Sequence, residues 1–305
     1  MTAELEFRTS GTTGTPERWL RTGGQIRAEA RLLARLCVPT GADGLVCCAP
    51  PHHLYGHLMG RAVPKELGLP CRGLALTESP APALAGWRRA VIAAVPASFA
   101  QLARSLPALA ALEELVIVHS TAVLPPAAHE LLAALGTRAR LVELLGATET
   151  GLVAYRPHAE RTEWTLADDV QLDPPLAPGA AGTLAVRSGR LARRPDMPYP
   201  AATELDDVVR MVDERTFHWL GRRSRLVKVN GRRVHLEAVE AHLREAAPGV
   251  ALSCRPERDG LRGEWFSVVV GDAEPEALGA LRVASRRLPS WQQPRAIELE
   301  SRRAA

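Results

Sequence analysis

The chain has 305 residues, 46% hydrophobic and 24% charged, which is enough apolar material for a buried core and excludes wholesale disorder. Its formal charge is +4, with both signs interspersed and aromatics at only 4%, so it lacks the dense basic stretch with interleaved aromatics of a nucleic-acid surface. Five cysteines without CxxC spacing, an N-terminus without a basic-then-apolar leader, and no apolar run of the ~18 residues a membrane span needs point to a reducing cytoplasm and away from a membrane.

In chain order, the spacing of Ile26, Ala30, Leu33 and Cys37 predicts an amphipathic helix over 25–36. Short apolar runs at 45–49, 91–95, 115–118 and 141–145 read as strands, with helix-like stretches at 98–106 and 127–135 between them. Strands without polar alternation, separated by helices, predict an α/β fold built on a parallel sheet covered on both faces. After Gly151 the texture changes. Proline and glycine cluster over 173–182, and strand-like runs at 183–187 and 208–212 predict a small, mainly antiparallel β section. A small α+β C-terminal domain then begins, with a strand at 226–229, a helix at 236–246, two more strands and a helix ending near Leu288. The expected division is 1–221 and 222–305.

Thr9–Glu17 reads TSGTTGTPE, a run of hydroxyls and glycines whose backbone N–H groups can approach phosphate closely. No GK[ST] follows, so it is not a Walker loop, and composition alone leaves a plain Gly/Thr turn equally open. The HHLYGH cluster places His53 and His57 one helical turn apart if that stretch is helical. Pro51 and Gly56 disfavour a regular helix, and no fourth zinc ligand stands nearby, so a packing histidine and a pocket histidine both stay open beside the metal.

Four segments, in order, carry a resemblance. TSGTTGTP resembles the phosphate loop of the adenylate-forming superfamily: acyl- and aryl-CoA synthetases, peptide-synthetase adenylation domains and luciferases. PPHHLYG at 50–56 resembles its P-x-x-H-x-x-G segment, LLGATETG at 144–151 its YGxTE segment, and 206–234 the stretch from a ribose-binding aspartate to an interdomain hinge. The resemblance implies a shortened adenylate-forming large domain and a small mobile C-terminal domain. It implies ATP and Mg2+ as cofactors, and activation of an acyl or aryl carboxylic acid as an acyl-adenylate before transfer to the thiol of CoA or a carrier protein. Thr9, Ser10, Gly11, Thr12, Thr13 and Gly14 would form the phosphate loop, and Ser120, Thr121 and Ala122 would wrap adenine beside Leu145, Gly146 and Ala147. Thr148 would contact the α-phosphate and Glu149 would hold Mg2+. Asp207 would bind the ribose hydroxyls with Arg222 in support, His53 would border the acyl pocket, and Lys228 keeps its place in the hinge motif.

The sequence departs from the family in four ways. It begins almost at the phosphate loop, which implies an apolar face covered by a second copy or a partner subunit. Glu17 stands where a lysine usually follows that loop, and Leu145 replaces the aromatic of YGxTE. Lys65 and Lys228 are the two lysines, and after the segment 288–300 the chain stops at Ala305, short of the family's terminal lysine. Losing that charge commonly costs ~10²–10³ in rate, which puts the adenylation step in doubt. A non-catalytic or partner-dependent nucleotide- or acyl-binding subunit, or a ligase with an amine or hydroxyl acceptor, are the alternatives.

Overall fold

The computed structural model describes residues 4–9, 17–120, 124–158, 162–229, 232–259 and 263–300. They fall into two compact units: Met1–Gly179 with Ala185–Glu204 and Met211–His218, and Ala180–Leu184 with Leu205–Arg210 and Trp219–Ala305.

The first unit opens with an antiparallel hairpin of β1 (Glu4–Thr9) and β2 (Glu17–Thr22) that sets Thr9 opposite Glu17. Helix α1 (Gly23–Cys37) starts at a capping box: the Thr22 hydroxyl accepts the Gln25 N–H at 3.1 Å, and the Gln25 side chain accepts the Thr22 N–H at 2.9 Å. Its inner face buries Ile26, Ala30, Leu33 and Cys37 as expected, and Glu29 as well.

Next come β3 (Gly44–Cys47), α2 (Leu54–His57), α3 (Val63–Leu67), β4 (Cys71–Gly73), α4 (Ala81–Leu84) and β5 (Arg89–Ala94). They are followed by α5 (Ser98–Arg104), α6 (Leu106–Ala110), β6 (Glu114–Ser120), α7 (Pro126–Leu135) and β7 (Ala139–Ala147). Strands β4, β3, β5, β6 and β7 lie side by side in that order, all parallel. Leu115 to His119 of β6 are buried without alternation, as a strand covered on both faces requires. The core beside them gathers Val46, Ile92, Ile117, Phe99, Leu102 and Leu131. The single helix expected over 98–106 is instead two, because Ser105 leaves helical geometry (φ −107°, ψ 19°) and Pro107 sits in the first turn of α6, where its missing N–H is harmless.

Strand β8 (Gly151–Pro157) turns back antiparallel on β7, and β9 (Trp164–Leu166) pairs with β8. The chain continues through β10 (Gln171–Leu172), β11 (Ala181–Arg187), β12 (Thr203–Met211) and β13 (Thr216–Arg222). The strand expected at 208–212 begins five residues earlier and ends at Met211. There the Asp213 carboxylate accepts the N–H groups of Arg215 and Thr216 and closes a turn.

In the second unit, β14 (Leu226–Val229) and β15 (Arg232–His235) form a hairpin, followed by α8 (Leu236–Ala246). Strands β16 (Leu252–Asp259) and β17 (Gly263–Val270) pair antiparallel, and β18 (Ile297–Leu299), reached through α9 (Pro275–Arg287), joins β17 in parallel. Val234, Leu236, Val239, Leu243, Phe266 and Leu281 make its core.

Candidate active site

Between β3 and β4 the chain turns at Pro50–Pro51 into helix. His53, in extended geometry, is the residue before α2. The stretch is helical from Leu54 to Leu67. It is irregular, because Leu58–Ala62 winds as a π-helical turn between α2 and α3. Gly56 fits because its backbone lies against Pro50: a Cβ there would overlap the Pro50 carbonyl. Tyr55 donates its hydroxyl to the Val118 carbonyl at 2.8 Å and ties the start of the helix to the end of β6. The His53 and His57 rings part company. His53 borders a cavity, its pKa lowered by partial burial and by His52, whereas His57 packs edge-on to Phe7 at 5.4 Å. Among the described residues no group of three or more His, Cys, Asp or Glu is arranged to hold a metal ion.

Strand β7 ends in the turn Thr148–Thr150. The Thr150 hydroxyl accepts the Ala147 N–H at 3.2 Å, and Gly151 takes a left-handed φ of 71° to launch β8. The register shift between Leu145 and Gly146 bulges the strand just before the turn.

A cavity of about 450 Å³ in the first unit brings these pieces together. His53, Leu54 and Tyr55 line it from the start of α2, Ser120 from the end of β6, Leu144–Ala147 from β7, Thr148 from the turn after it, and Glu29 and Leu33 from α1. Thus His53, Ser120, Leu145, Gly146, Ala147 and Thr148 of the expected site meet at one hollow. Glu149 is half-buried beside it. Its backbone carbonyl accepts the Ala192 N–H at 2.8 Å, and its charge acts on Arg21. Ser10, Gly11, Thr12, Thr13, Gly14, Thr121 and Ala122 lie outside the described residues. Thr9 ends β1, and Lys228 sits on β14 opposite Arg233, the side chains of both being outside the description.

Beneath the turn lies a cluster that sequence reasoning missed. Arg21 is completely buried. It donates to the Thr148 carbonyl from Nη2 and Nε at 2.9 and 3.2 Å, and from Nη1 to Glu29 at 3.1 Å and to the Arg190 carbonyl at 2.6 Å. Glu29 accepts the Leu152 N–H at 2.7 Å. Arg190, also buried, donates to the Leu152 carbonyl at 2.7 Å and grips Asp169 in a fork at 2.7 and 2.8 Å. Burial depresses the Arg21 pKa, opposed by Glu29, lowered further by the neighbouring Arg190 charge, and opposed again by Glu149. One signal was present in the sequence: Glu29 falls on the apolar stripe of α1, between Ile26 and Leu33.

Asp207 and Arg222 meet in the second unit. Asp207 is 7% exposed and accepts the Trp219 indole N–H at 2.7 Å, with Arg222 Nε 3.9 Å away. Burial raises its pKa, opposed by the Trp219 hydrogen bond and by Arg222. Glu17, standing where a lysine is expected, pairs with Arg194 at 3.0 Å at the surface of the first unit.

The profile of the family described as AMP-binding enzyme matches residues 8–193. The 4-coumarate–CoA ligase of Rhodobacter capsulatus is 33% identical over 290 residues, which cover 92% of this chain and 67% of that protein. The 4-coumarate–CoA ligase of Halorhodospira halophila is 30% identical, with 91% and 66% covered, so the chain spans about two thirds of the length of these curated relatives. Among solved structures, ATP-bound MatB from Rhodopseudomonas palustris superposes with a TM-score of 0.75 at 19% identity, covering 97% of this chain and 63% of that one. A malonyl-CoA ligase with methylmalonyl-CoA and AMP bound gives 0.59 at 26% identity, with 97% and 70% covered. The fold is that of these enzymes, and the chain belongs to the AMP-binding, adenylate-forming family.

Proposed function

We propose that the protein activates an acyl or aryl carboxylic acid with ATP, forming an acyl-adenylate and releasing pyrophosphate, and then passes the acyl group to the thiol of CoA or a carrier protein. The observation that carries this is the cavity where His53, Ser120 and Leu145–Thr148 come together, mostly apolar and walled at one side by Thr148, at the start of the turn that carries Glu149. An acid enters with its tail among Leu33, Leu54, Leu58 and Leu144 and its carboxylate towards the turn. Its oxygen attacks the α-phosphorus, the bond to pyrophosphate breaks, and the thiol later attacks the acyl carbon as AMP leaves. The CoA-ligase names of the relatives support CoA as the thiol.

Thr148 would donate its hydroxyl to the α-phosphate, and residues 9–14 would cradle the outer phosphates. Glu149 offers a half-buried carboxylate next to the Thr148 hydroxyl, a hard oxygen set suited to Mg2+, which when bound would neutralise phosphate charge. Asp207 would accept the ribose hydroxyls, with Arg222 beside it. Gly221–Arg222 would be the domain boundary and Lys228 part of the hinge region. The five cysteines are unpaired, in keeping with a cytoplasmic protein, and among the described residues no helix is long and apolar enough to cross a membrane.

An ATP–pyrophosphate exchange screen over aryl and acyl acids, 4-coumarate included, tests this. Exchange above background with at least one acid, lost in Glu149→Ala and Asp207→Ala, is the expected result. Background exchange with every acid overturns it.

A further inference from the structure

We infer that Arg21, Glu29 and Arg190 are positioning residues that hold the Thr148–Leu152 turn in the form the adenylation step uses. The inference rests on the proposed adenylation. None of the three belongs to a motif segment, and they come together only in the fold: Arg21 and Arg190 are 169 positions apart.

The turn is gripped at both ends by buried charge. At its start, one guanidinium delivers two N–H groups to the Thr148 carbonyl. At its end, both backbone groups of Leu152 are taken, the N–H by Glu29 and the carbonyl by Arg190. Between them, Gly151 lies so close to the Glu29 carboxylate that a Cβ would overlap both of its oxygens. Glu29, Arg21 and Arg190 are all at most 2% exposed at the side chain. The bulge at Leu145–Gly146 breaks the regular β7–β8 register just before the turn, and the charged cluster supplies partners for the backbone after it.

Geometry also separates positioning from mere support. The cluster binds backbone atoms at Thr148 and Leu152, so the Thr148 hydroxyl and the Glu149 carboxylate point where the backbone directs them. Arg21 is also near enough to Glu149 for their charges to interact. Rigid two-point guanidinium contacts fix an orientation that a single-point cation leaves free to rotate. Buried ion sets contribute weakly to net stability but can fix one conformation.

The test uses the full chain. Arg21→Met/Glu29→Met removes one positive and one negative buried charge together, leaving Arg190 with Asp169; Arg21→Lys keeps the charge and loses the fork. With 4-coumarate, or the best acid of the screen, the double variant should lower kcat of pyrophosphate exchange by about tenfold or more. KM for the acid should stay within about threefold. Arg21→Lys should fall between. By hydrogen–deuterium exchange, peptides spanning 146–152 should exchange about tenfold faster in the double variant, with β5 and α7 unchanged.

An unchanged kcat in a double variant of an active wild type overturns the inference and leaves adenylation standing. So does faster exchange spread evenly over the chain, which marks a general structural role. A wild type silent with every acid overturns the adenylation reading, and the positioning role falls with it. If the double variant does not fold, Arg21→Lys decides by the same two readouts.

Discussion

Glu29 in the first unit and Asp207 in the second are both buried carboxylates, 1% and 7% exposed, yet their surroundings differ in kind. Glu29 is surrounded by fixed partners: hydrogen bonds from Arg21 at 3.1 Å and the Leu152 N–H at 2.7 Å, and the Arg190 charge at 3.5 Å. Asp207 has the Trp219 indole at 2.7 Å and Arg222 at 3.9 Å, and the Arg222 side chain is mostly exposed. Burial accordingly pushes the Asp207 carboxyl above its ordinary range despite those two groups. A buried carboxylate supplied with fixed cations is part of the architecture. One with acceptor capacity to spare suits a ligand that brings its own donors, such as a pair of hydroxyls.

The largest effect expected from this contrast is on stability. Glu29→Ala strands the buried Arg21 guanidinium without its carboxylate and leaves the Leu152 N–H unpaired, and should cost about 3–5 kcal/mol in urea unfolding. Asp207→Ala removes a carboxylate that pays for its burial without full compensation, and should change stability by no more than about 1 kcal/mol. Similar losses for the two variants would erase the distinction.

A second, somewhat smaller effect separates carboxylates by pH. Glu143, buried on β7, is held down to about 2: burial alone would raise it, but hydrogen bonds from His158 at 3.0 Å and Arg156 at 2.9 Å outweigh that. Its folded pKa lies below the ordinary 4.5, so its stabilisation is complete above that value and is lost as pH falls from about 4.5 towards about 2. Asp207 has the opposite sign. Its folded pKa is raised above 3.8, so its contribution is present below that value and fades as pH rises through the folded pKa. Glu143→Gln should therefore flatten the acid limb of the stability curve by roughly 3 kcal/mol or less, whereas Asp207→Asn should raise stability relative to wild type on the neutral side. Parallel pH curves for wild type and Glu143→Gln would remove Glu143 from the account.

Why one carboxylate was legible in the sequence and the other was not follows from how each is built. Asp207 sits in a contiguous segment whose spacing to Gly221–Arg222 carries the family resemblance, and Thr148–Glu149 lie in another. Local periodicity likewise gave α8 over its observed span, and the unbroken apolar runs gave the parallel strands β3, β5, β6 and β7. Glu29 depends on Arg21 and Arg190, brought to it by a hairpin and by a segment far along the chain, so no local pattern announces the cluster. Its trace was a charge on an apolar helix stripe. The irregular helix 54–67 was obscured for a different reason: Gly56, read as disfavouring a regular helix, is there to let the backbone approach Pro50. The hairpin β1–β2 was hidden because only the hydroxyl-rich run between its strands carried a signal, and the flanking segments had none of their own.

The smallest and sharpest prediction concerns Trp219. Replacing it with phenylalanine keeps the aromatic body and deletes the N–H that Asp207 accepts at 2.7 Å. Loss of one hydrogen bond at a site already short of donors should cost only ~1 kcal/mol in unfolding. It should also raise the Asp207 pKa further, since a donor that favours the ionised form is gone. On the proposed ribose-binding role of Asp207, a protonated carboxyl accepts fewer hydrogen bonds from the hydroxyls, so the variant's KM for ATP should rise relative to wild type as pH falls. The ratio of variant to wild-type KM across pH is the measurement. A ratio that stays constant from acid to neutral pH would mean that Trp219 acts on the site through packing alone. Asp207 would then be no more dependent on its Trp219 N–H donor than Glu29 is on any one of its partners.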